Sequence, residues 1–260
     1  MIYGNYKQQN FLKEVLENGD KSILVVGPEG VGKFSFVYNY LKNKDWEKIV
    51  IDSPSKNFKI DSARLIVSLS FKKSKRRVIL VNDFHKFQPQ AQHVLLKTLE
   101  ETKSPTTFIF ISHKESKILS TIRSRSLKIK FNLVSPQETE IFLKEKNFIK
   151  DDIDFALDFY PYQPGKALNF LNNKEKLIIF RKIITGKEDL FEEAKNIFTL
   201  SEFLEYYLLF LRKKILASLN QKDNFRLYLF KMKRAIQLFY DSDYNLNFEL
   251  QVANLILNDG

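Results

Sequence analysis

Ser22-Ile23-Leu24-Val25-Val26-Gly27-Pro28-Glu29-Gly30-Val31-Gly32-Lys33-Phe34 is the stretch on which the fold turns. Ser22 to Val26 is uncharged and mostly β-branched, which reads as a buried strand. A turn with glycine at 27, 30 and 32 follows, and Lys33–Leu41 reads as a helix. This G-x-x-x-x-G-K pattern, set between strand and helix, is that of a phosphate-binding loop. Backbone N–H groups of such a turn point at phosphate oxygens at a helix N-terminus, and the lysine adds charge. Gly27, Gly30, Gly32 and Lys33 are therefore the candidate phosphate-binding residues. The alternative, a chance cluster of glycines in a strand–helix turn, leaves the flanking elements unexplained. The next position ordinarily carries Ser or Thr, whose hydroxyl holds Mg²⁺. Here it is Phe34. Ser35 is no substitute, because one helical step turns a side chain by about 100°.

The rest of the first half alternates. Lys48–Ile51 reads as a strand and Asp61–Leu69 as a helix with Asp61 at its N-cap. Val78–Val81 is a second buried strand. Gln88–Glu101 is a helix, with Ala91, Leu95 and Leu99 repeating at i+4. Thr106–Ile111 and Leu127–Phe131 are further strands. Strands alternating with helices imply a mainly parallel sheet covered on both faces. Beyond Phe131 the pattern becomes helical. Ser135-Pro136-Gln137-Glu138 is a capping box with proline at the first helical position. Pro161, Pro164 and Gly165 punctuate one junction, and Thr185-Gly186 marks another turn. Glu202–Leu219 reads as a long amphipathic helix. Its Phe, Tyr and Leu residues are numerous enough to serve a partner surface, with packing inside its own domain as the alternative. The expected organisation is an α/β domain over 1–133, a small helical domain over 134–174 and a helical domain over 175–260.

Composition sets further bounds. The 260 residues are 44% hydrophobic with 24 Phe, enough for a sizeable core, and this argues against wholesale disorder. Without cysteine there are no disulfides, no thiolate metal sites and no Cys nucleophile. The N-terminal residues lack an apolar signal core, and the longest apolar run, Phe203–Leu211, is interrupted by Glu205 and too short for a bilayer. A cytoplasmic, soluble protein is expected. The net charge of +11 favours a polyanionic partner such as nucleic acid, or reflects a lysine-rich surface.

A second nucleotide motif consists of an apolar strand ending in Asp for the Mg²⁺ shell, then Glu to activate water. Val78-Ile79-Leu80-Val81 ends instead in Asn82-Asp83. A neutral amide at 82 contributes little to a divalent ion. Asp83 is one methylene shorter than the usual base, and a misplaced base loses much of its effect. Alone, Asn82-Asp83 is a polar strand-to-loop turn. With Phe34 it reads as a decayed ATPase site.

Between Ala91 and Ser126 the sequence resembles one family. Leu95-Leu96-Lys97-Thr98-Leu99-Glu100-Glu101 follows Asn82-Asp83-Phe84-His85. Then come Phe108-Ile109-Phe110-Ile111-Ser112 and Thr121-Ile122-Arg123-Ser124-Arg125-Ser126. This order is similar to the AAA+ module of bacterial sliding-clamp loaders, the tau/gamma and delta-prime subunits of DNA polymerase III. It is closer to delta-prime, whose nucleotide site is typically defective. The resemblance covers Gly27–Phe131 and weakens beyond. It implies a P-loop AAA+ α/β domain with a parallel sheet, a helical lid and an all-α C-terminal collar. It places Ser112 at the first sensor position, with a strand-end cap as the alternative. It makes Arg125 an arginine finger acting in trans, with a local salt bridge as the alternative and Arg123 as the fallback. The departures are Ser126 in place of a motif cysteine, Thr102-Lys103-Ser104 in place of prolines, and Leu168 at the place of a second sensing arginine. The family's four-cysteine zinc module cannot exist here.

The resemblance implies a subunit that helps load the sliding clamp onto primed DNA. Its partners would be tau/gamma, delta and the clamp, in a hetero-oligomer, with DNA reached through the complex. No cofactor is required, weak ATP or ADP binding is retained at most, and no metal or zinc site is expected. His85 and His93 read as surface or packing residues. Lys72-Lys73-Lys75-Arg76-Arg77 reads as a solvated loop or a phosphate contact. The alternatives are an active tau/gamma-type ATPase and a stand-alone basic nucleic-acid-binding protein.

Overall fold

The computed structural model describes residues 3–19, 22–52, 60–72, 74–101, 105–184, 191–219, 222–241 and 251–252. Lys73, Thr102-Lys103-Ser104 and Thr185-Gly186 lie outside them. The chain divides into two compact units: Met1–Phe142 with Tyr162–Gly165, and Leu143–Pro161 with Lys166–Gly260. Among the described residues no helix is long and apolar enough to cross a membrane.

The first unit is built on five parallel strands. They are β1 (Ser22–Val26), β2 (Glu47–Ile51), β3 (Arg77–Val81), β4 (Thr106–Ser112) and β5 (Leu127–Lys130), in the order β2-β3-β4-β1-β5. Every residue of β1, β3 and β4 is buried. Strands buried on both faces read as continuous apolar runs, which is how these sequences look. The pleat sends alternate residues to opposite faces. Ile23 and Val25 join a core cluster with Leu12, Leu16, Val37 and Leu41, from α1 (Tyr6–Asn18) and α2 (Lys33–Lys42). Leu24 and Val26 join the opposite cluster with Ala63, Ile66, Ala91 and Leu95, from α3 (Ile60–Ser70) and α4 (Pro89–Glu101). Helix α3 begins at Ile60, so Asp61 lies within its first turn and is not the N-cap expected from sequence. Its charge still sits at the positive end of the helix dipole.

Helix α5 (Ser120–Ser124) precedes β5. Phe131 extends the edge by donating its N–H to Val26 O at 2.8 Å. The capping box forms as the sequence predicts: Glu138 N–H donates to Ser135 Oγ at 3.2 Å, and Ser135 N–H donates to Glu138 Oε2 at 3.3 Å. Helix α6 (Pro136–Lys144) starts there.

The remaining helices are α7 (Lys150–Phe159), α8 (Pro164–Asn172), α9 (Lys174–Ile184), α10 (Phe191–Ile197), α11 (Leu200–Ala217) and α12 (Lys222–Asp241). The second unit packs largely through rings. Phe159 and Phe170 lie 5.3 Å apart between centroids, Phe180 and Phe203 5.8 Å, and Phe170 and Tyr206 5.1 Å. Edge-to-face and tilted pairs at these distances add to ordinary burial. The aromatic residues that marked 202–219 are thus used inside this unit: Phe203, Leu204, Tyr207 and Leu211 are buried. Thr199 and Glu202 cap α11 with a reciprocal capping box.

Candidate functional site

The Gly27–Lys33 loop lies at the C-terminal end of β1, an interior strand between β4 and β5. Gly27, Gly30 and Gly32 take φ values of 142°, 76° and 88°, conformations that side chains resist. A Cβ on Gly27 would also stand 2.2 Å from Phe131 O. Gly30 O accepts the N–H of Gly165 at 2.7 Å, and Glu29 O accepts from Gln163 Nε2 at 3.0 Å. The Tyr162–Gly165 segment is thereby laced to the loop. Lys33, the first residue of α2, is buried and folds back on the loop. Its Nζ donates to Gly27 O at 2.8 Å and Pro28 O at 2.6 Å. Burial pushes its pKa down to about 8, opposed by the negative charges of Glu29 and Asp83.

Phe34 sits where the Mg²⁺-binding hydroxyl belongs. Its ring packs against the core and stacks on Tyr38 at 5.6 Å. Ser35 is exposed, as its helical step predicts. Asn82 follows β3; its N–H donates to Ile51 O at 2.9 Å and its Nδ2 to Asp52 Oδ1 at 2.9 Å. The amide is thus engaged sideways with a carboxylate that sequence reasoning did not single out.

Asp83 takes the left-handed conformation, φ 49°. Lys86 Nζ donates to its Oδ2 at 2.7 Å, and His113 Nδ1 lies 3.7 Å from its Oδ1. The His113 contact, then Lys86, hold its carboxyl well below the usual range against the opposing effect of burial. His85 is buried, its ring 4.0 Å from that of His113 between centroids. Burial, and next His113, push its pKa down to about 4, so it is neutral at physiological pH. His93 is exposed on α4.

Ser112 ends β4 opposite Val26 of β1, beside the loop. It is buried, and its Oγ accepts the N–H of Lys114 at 3.0 Å, a strand-end cap. Arg125 caps α5 at the surface. Its Nε is ion-paired with Glu100 and its Nη1 donates to Thr121 O at 3.1 Å. Arg123, also exposed, lies 4.0 Å from Glu115. The structure therefore gathers Gly27, Gly30, Gly32, Lys33 and Ser112 at the ends of neighbouring strands β1 and β4. Asn82 and Asp83 follow β3, the next strand of the sheet. Arg125 stands apart on the surface, where the local salt bridge considered from sequence is formed.

In the basic run before β3, Lys72 and Lys75 are exposed as the solvated-loop reading expects, and the two arginines depart from both expectations. Arg77 is buried and bonded to Glu47 Oε2 at 2.8 Å, which holds the Glu47 carboxyl below its usual range. The Arg76 guanidinium lies 3.8 Å over the Trp46 ring. Both arginines brace the sheet edge. A positive surface lies elsewhere: an open pocket of about 700 Å³ is lined by His85, Lys86, Lys114, Lys117, Leu119 and Arg123. Lys86, Lys114, Lys117 and Arg123 are scattered between 86 and 123, so no charge run marked it.

A family model described as DNA polymerase III, delta subunit matches residues 41–135. The gamma subunit of DNA polymerase III from Buchnera aphidicola (subsp. Schizaphis graminum) is 31% identical over 134 residues, 48% of this chain and 37% of that protein. The delta' subunit from the same organism is 29% identical over 159 residues, 59% of this chain and 43% of that protein. The chain thus spans less than half the length of these two relatives. Among solved structures, a gamma subunit-related protein of DNA polymerase III from Thermotoga maritima superposes with a TM-score of 0.63. It is 19% identical and the match covers 96% of this chain and 97% of the other. At that identity the likeness speaks for the fold.

Proposed function

Because the chain belongs to the clamp-loader family of AAA+ proteins, we propose that it serves as a delta-prime-like subunit of a DNA polymerase III clamp loader. In this role it completes a ring, with tau/gamma, delta and the clamp as partners, and primed DNA is engaged by the assembly. Residues 134–174 act as the lid and 175–260 as the collar.

One observation carries the choice of a non-hydrolysing subunit. Both protein groups that would hold Mg²⁺ are replaced, and the replacements are occupied: Phe34 by packing and stacking, Asn82 by Asp52. Without metal across the β and γ phosphates, their charge is not neutralised for transfer. The glycines and Lys33 retain a cradle for weak nucleotide binding. The rival reading, an active gamma-type ATPase, draws on that cradle and on the 31% identity to a gamma subunit.

Arg125 is proposed to act on a neighbouring subunit's nucleotide. Its partner Glu100 is half exposed, and an exposed pair is worth about 0–1 kcal/mol, so the guanidinium is cheaply redirected. An arginine supplied across an interface is worth about 10³–10⁵ in rate in well-studied NTPases, and less on the total turnover of a ring with several sites. The test is to assemble the complex with wild-type or Arg125→Ala chain. DNA-stimulated ATPase and clamp loading fall while assembly survives. An effect of Arg123→Ala alone reassigns the role, and no effect of either removes it. ATP turnover by the isolated chain that Lys33→Ala abolishes favours the active ATPase.

A further inference from the structure

We propose that Asp83, His85 and His113 form a binding site for a late first-row divalent metal ion, with Zn²⁺ the best-matched ion. One ligand atom from each of the three lies within 4.8 Å of the others. His113 Nδ1 and Asp83 Oδ1 are already 3.7 Å apart. Tetrahedral Zn²⁺, with bonds of about 2.0–2.2 Å, holds its ligand atoms about 3.3–3.5 Å from one another. The remaining closure is roughly an ångström, which side-chain torsions of the half-buried Asp83 and His113 can supply.

His85 is the fixed member. It is 7% exposed, and its Nδ1 is buried without a hydrogen-bond partner. A buried polar atom left unpaired costs stability, and buried polar atoms are nearly always satisfied in native proteins. A metal bond through Nδ1 would meet that deficit. Two imidazoles and one carboxylate suit zinc and its neighbours. Magnesium and calcium, which take oxygen ligands, are disfavoured. Three protein ligands leave a fourth position open. Lys86 occupies Asp83 Oδ2, which leaves Oδ1 for the ion and orients the carboxylate from outside, as outer partners of metal ligands do.

This trio shares Asp83 with the second nucleotide motif but includes neither of that motif's Mg²⁺ positions, residues 34 and 82. It arises because β3 and β4 are parallel neighbours. Their C-terminal ends meet at one edge, so the turn after Val81 and the turn after Ser112 face each other. The site also forms part of the wall of the basic pocket, through His85.

The test uses the full, tag-free chain, stripped with a chelator and titrated calorimetrically with Zn²⁺ in the absence of nucleotide. One Zn²⁺ binds per chain. His113→Ala and Asp83→Asn each weaken binding by about tenfold or more, with far-UV circular dichroism unchanged. His93→Ala, which alters the remaining histidine, leaves binding intact. His113 and Asp83 are not core residues, so at least one of the two variants folds and reports. Absence of Zn²⁺ uptake by the folded wild-type chain overturns the proposal. So does uptake that survives in the folded variants, or uptake lost with His93. None of these results bears on the clamp-loader reading, which is tested through ATPase and assembly.

Discussion

At the scale of single residues, the glycine loop after β1 is tightly constrained. Gly27 combines a φ of 142° with a neighbour's backbone oxygen where a Cβ would stand. Gly27→Ala must distort the loop or push β5 away, and about 3 kcal/mol or more of stability is lost, read as a fall in urea midpoint. Lys33 has the opposite character: it is a liability in the absence of ligand. Its folded pKa, about 8, lies below the ordinary 10.5. Between those values the unfolded chain binds more protons than the folded one, so this residue's contribution improves as pH rises and its penalty is full below pH 8. Lys33→Met is therefore more stable than wild type at pH 7, and the gap narrows from about pH 8 to 10.5 in parallel urea titrations. A bound phosphate would stabilise the ammonium and remove the difference, which makes the same pair of proteins a sensor of nucleotide occupancy.

At the scale of elements, most of the sheet was legible because β1, β3 and β4 are continuous apolar runs between polar turns. Helix α4 was legible because its apolar residues recur at i+4. The capping box at Ser135 was explicit. The matching box at Thr199-Leu200-Ser201-Glu202 has the same spacing and starts α11 at Leu200, two residues before the amphipathic stretch expected from Glu202. Removing its hydroxyl by Thr199→Ala costs about 1 kcal/mol in thermal or urea unfolding. Helix α1 carries little sequence signal because its first turns are polar and its buried apolar residues, Leu12, Val15 and Leu16, come late. Its start is fixed by Asn5, which bonds the backbone of Asn132 in both directions at 2.9 and 2.6 Å and gives its own helix no side-chain cap. Nothing local encodes that pairing. The glycines, Lys33, Asn82 and Asp83 were found from motif spacing. The meeting of Asp83 with His113 was not, because it follows from strand order, which local periodicity does not reveal.

At the scale of the whole molecule, strand order governs how the first unit comes into being. The interior strand β1 has no sequence neighbour beside it in the sheet. Its partners are β4 and β5, paired from Ser22↔Phe108 and Ile23↔Leu127. Contacts between distant segments require loop closure before they yield stability, and such topologies fold slowly. A chain truncated after residue 104 lacks both neighbours of β1 and remains sensitive to protease throughout Ser22–Val26. One ending after residue 142 supplies them, and that stretch becomes protected. On the ribosome, the same arrangement imposes a waiting period. Ile23, Leu24 and Val25 emerge early, as an adhesive apolar segment; their first sheet partner, β4, follows only at Ile23↔Ile109 and their second, β5, at Ile23↔Leu127. The loop after β1, whose Gly27 lies against Phe131 beyond β5, thus lacks its supporting neighbour until translation has passed β5. A nascent-chain chaperone has its greatest effect in that interval.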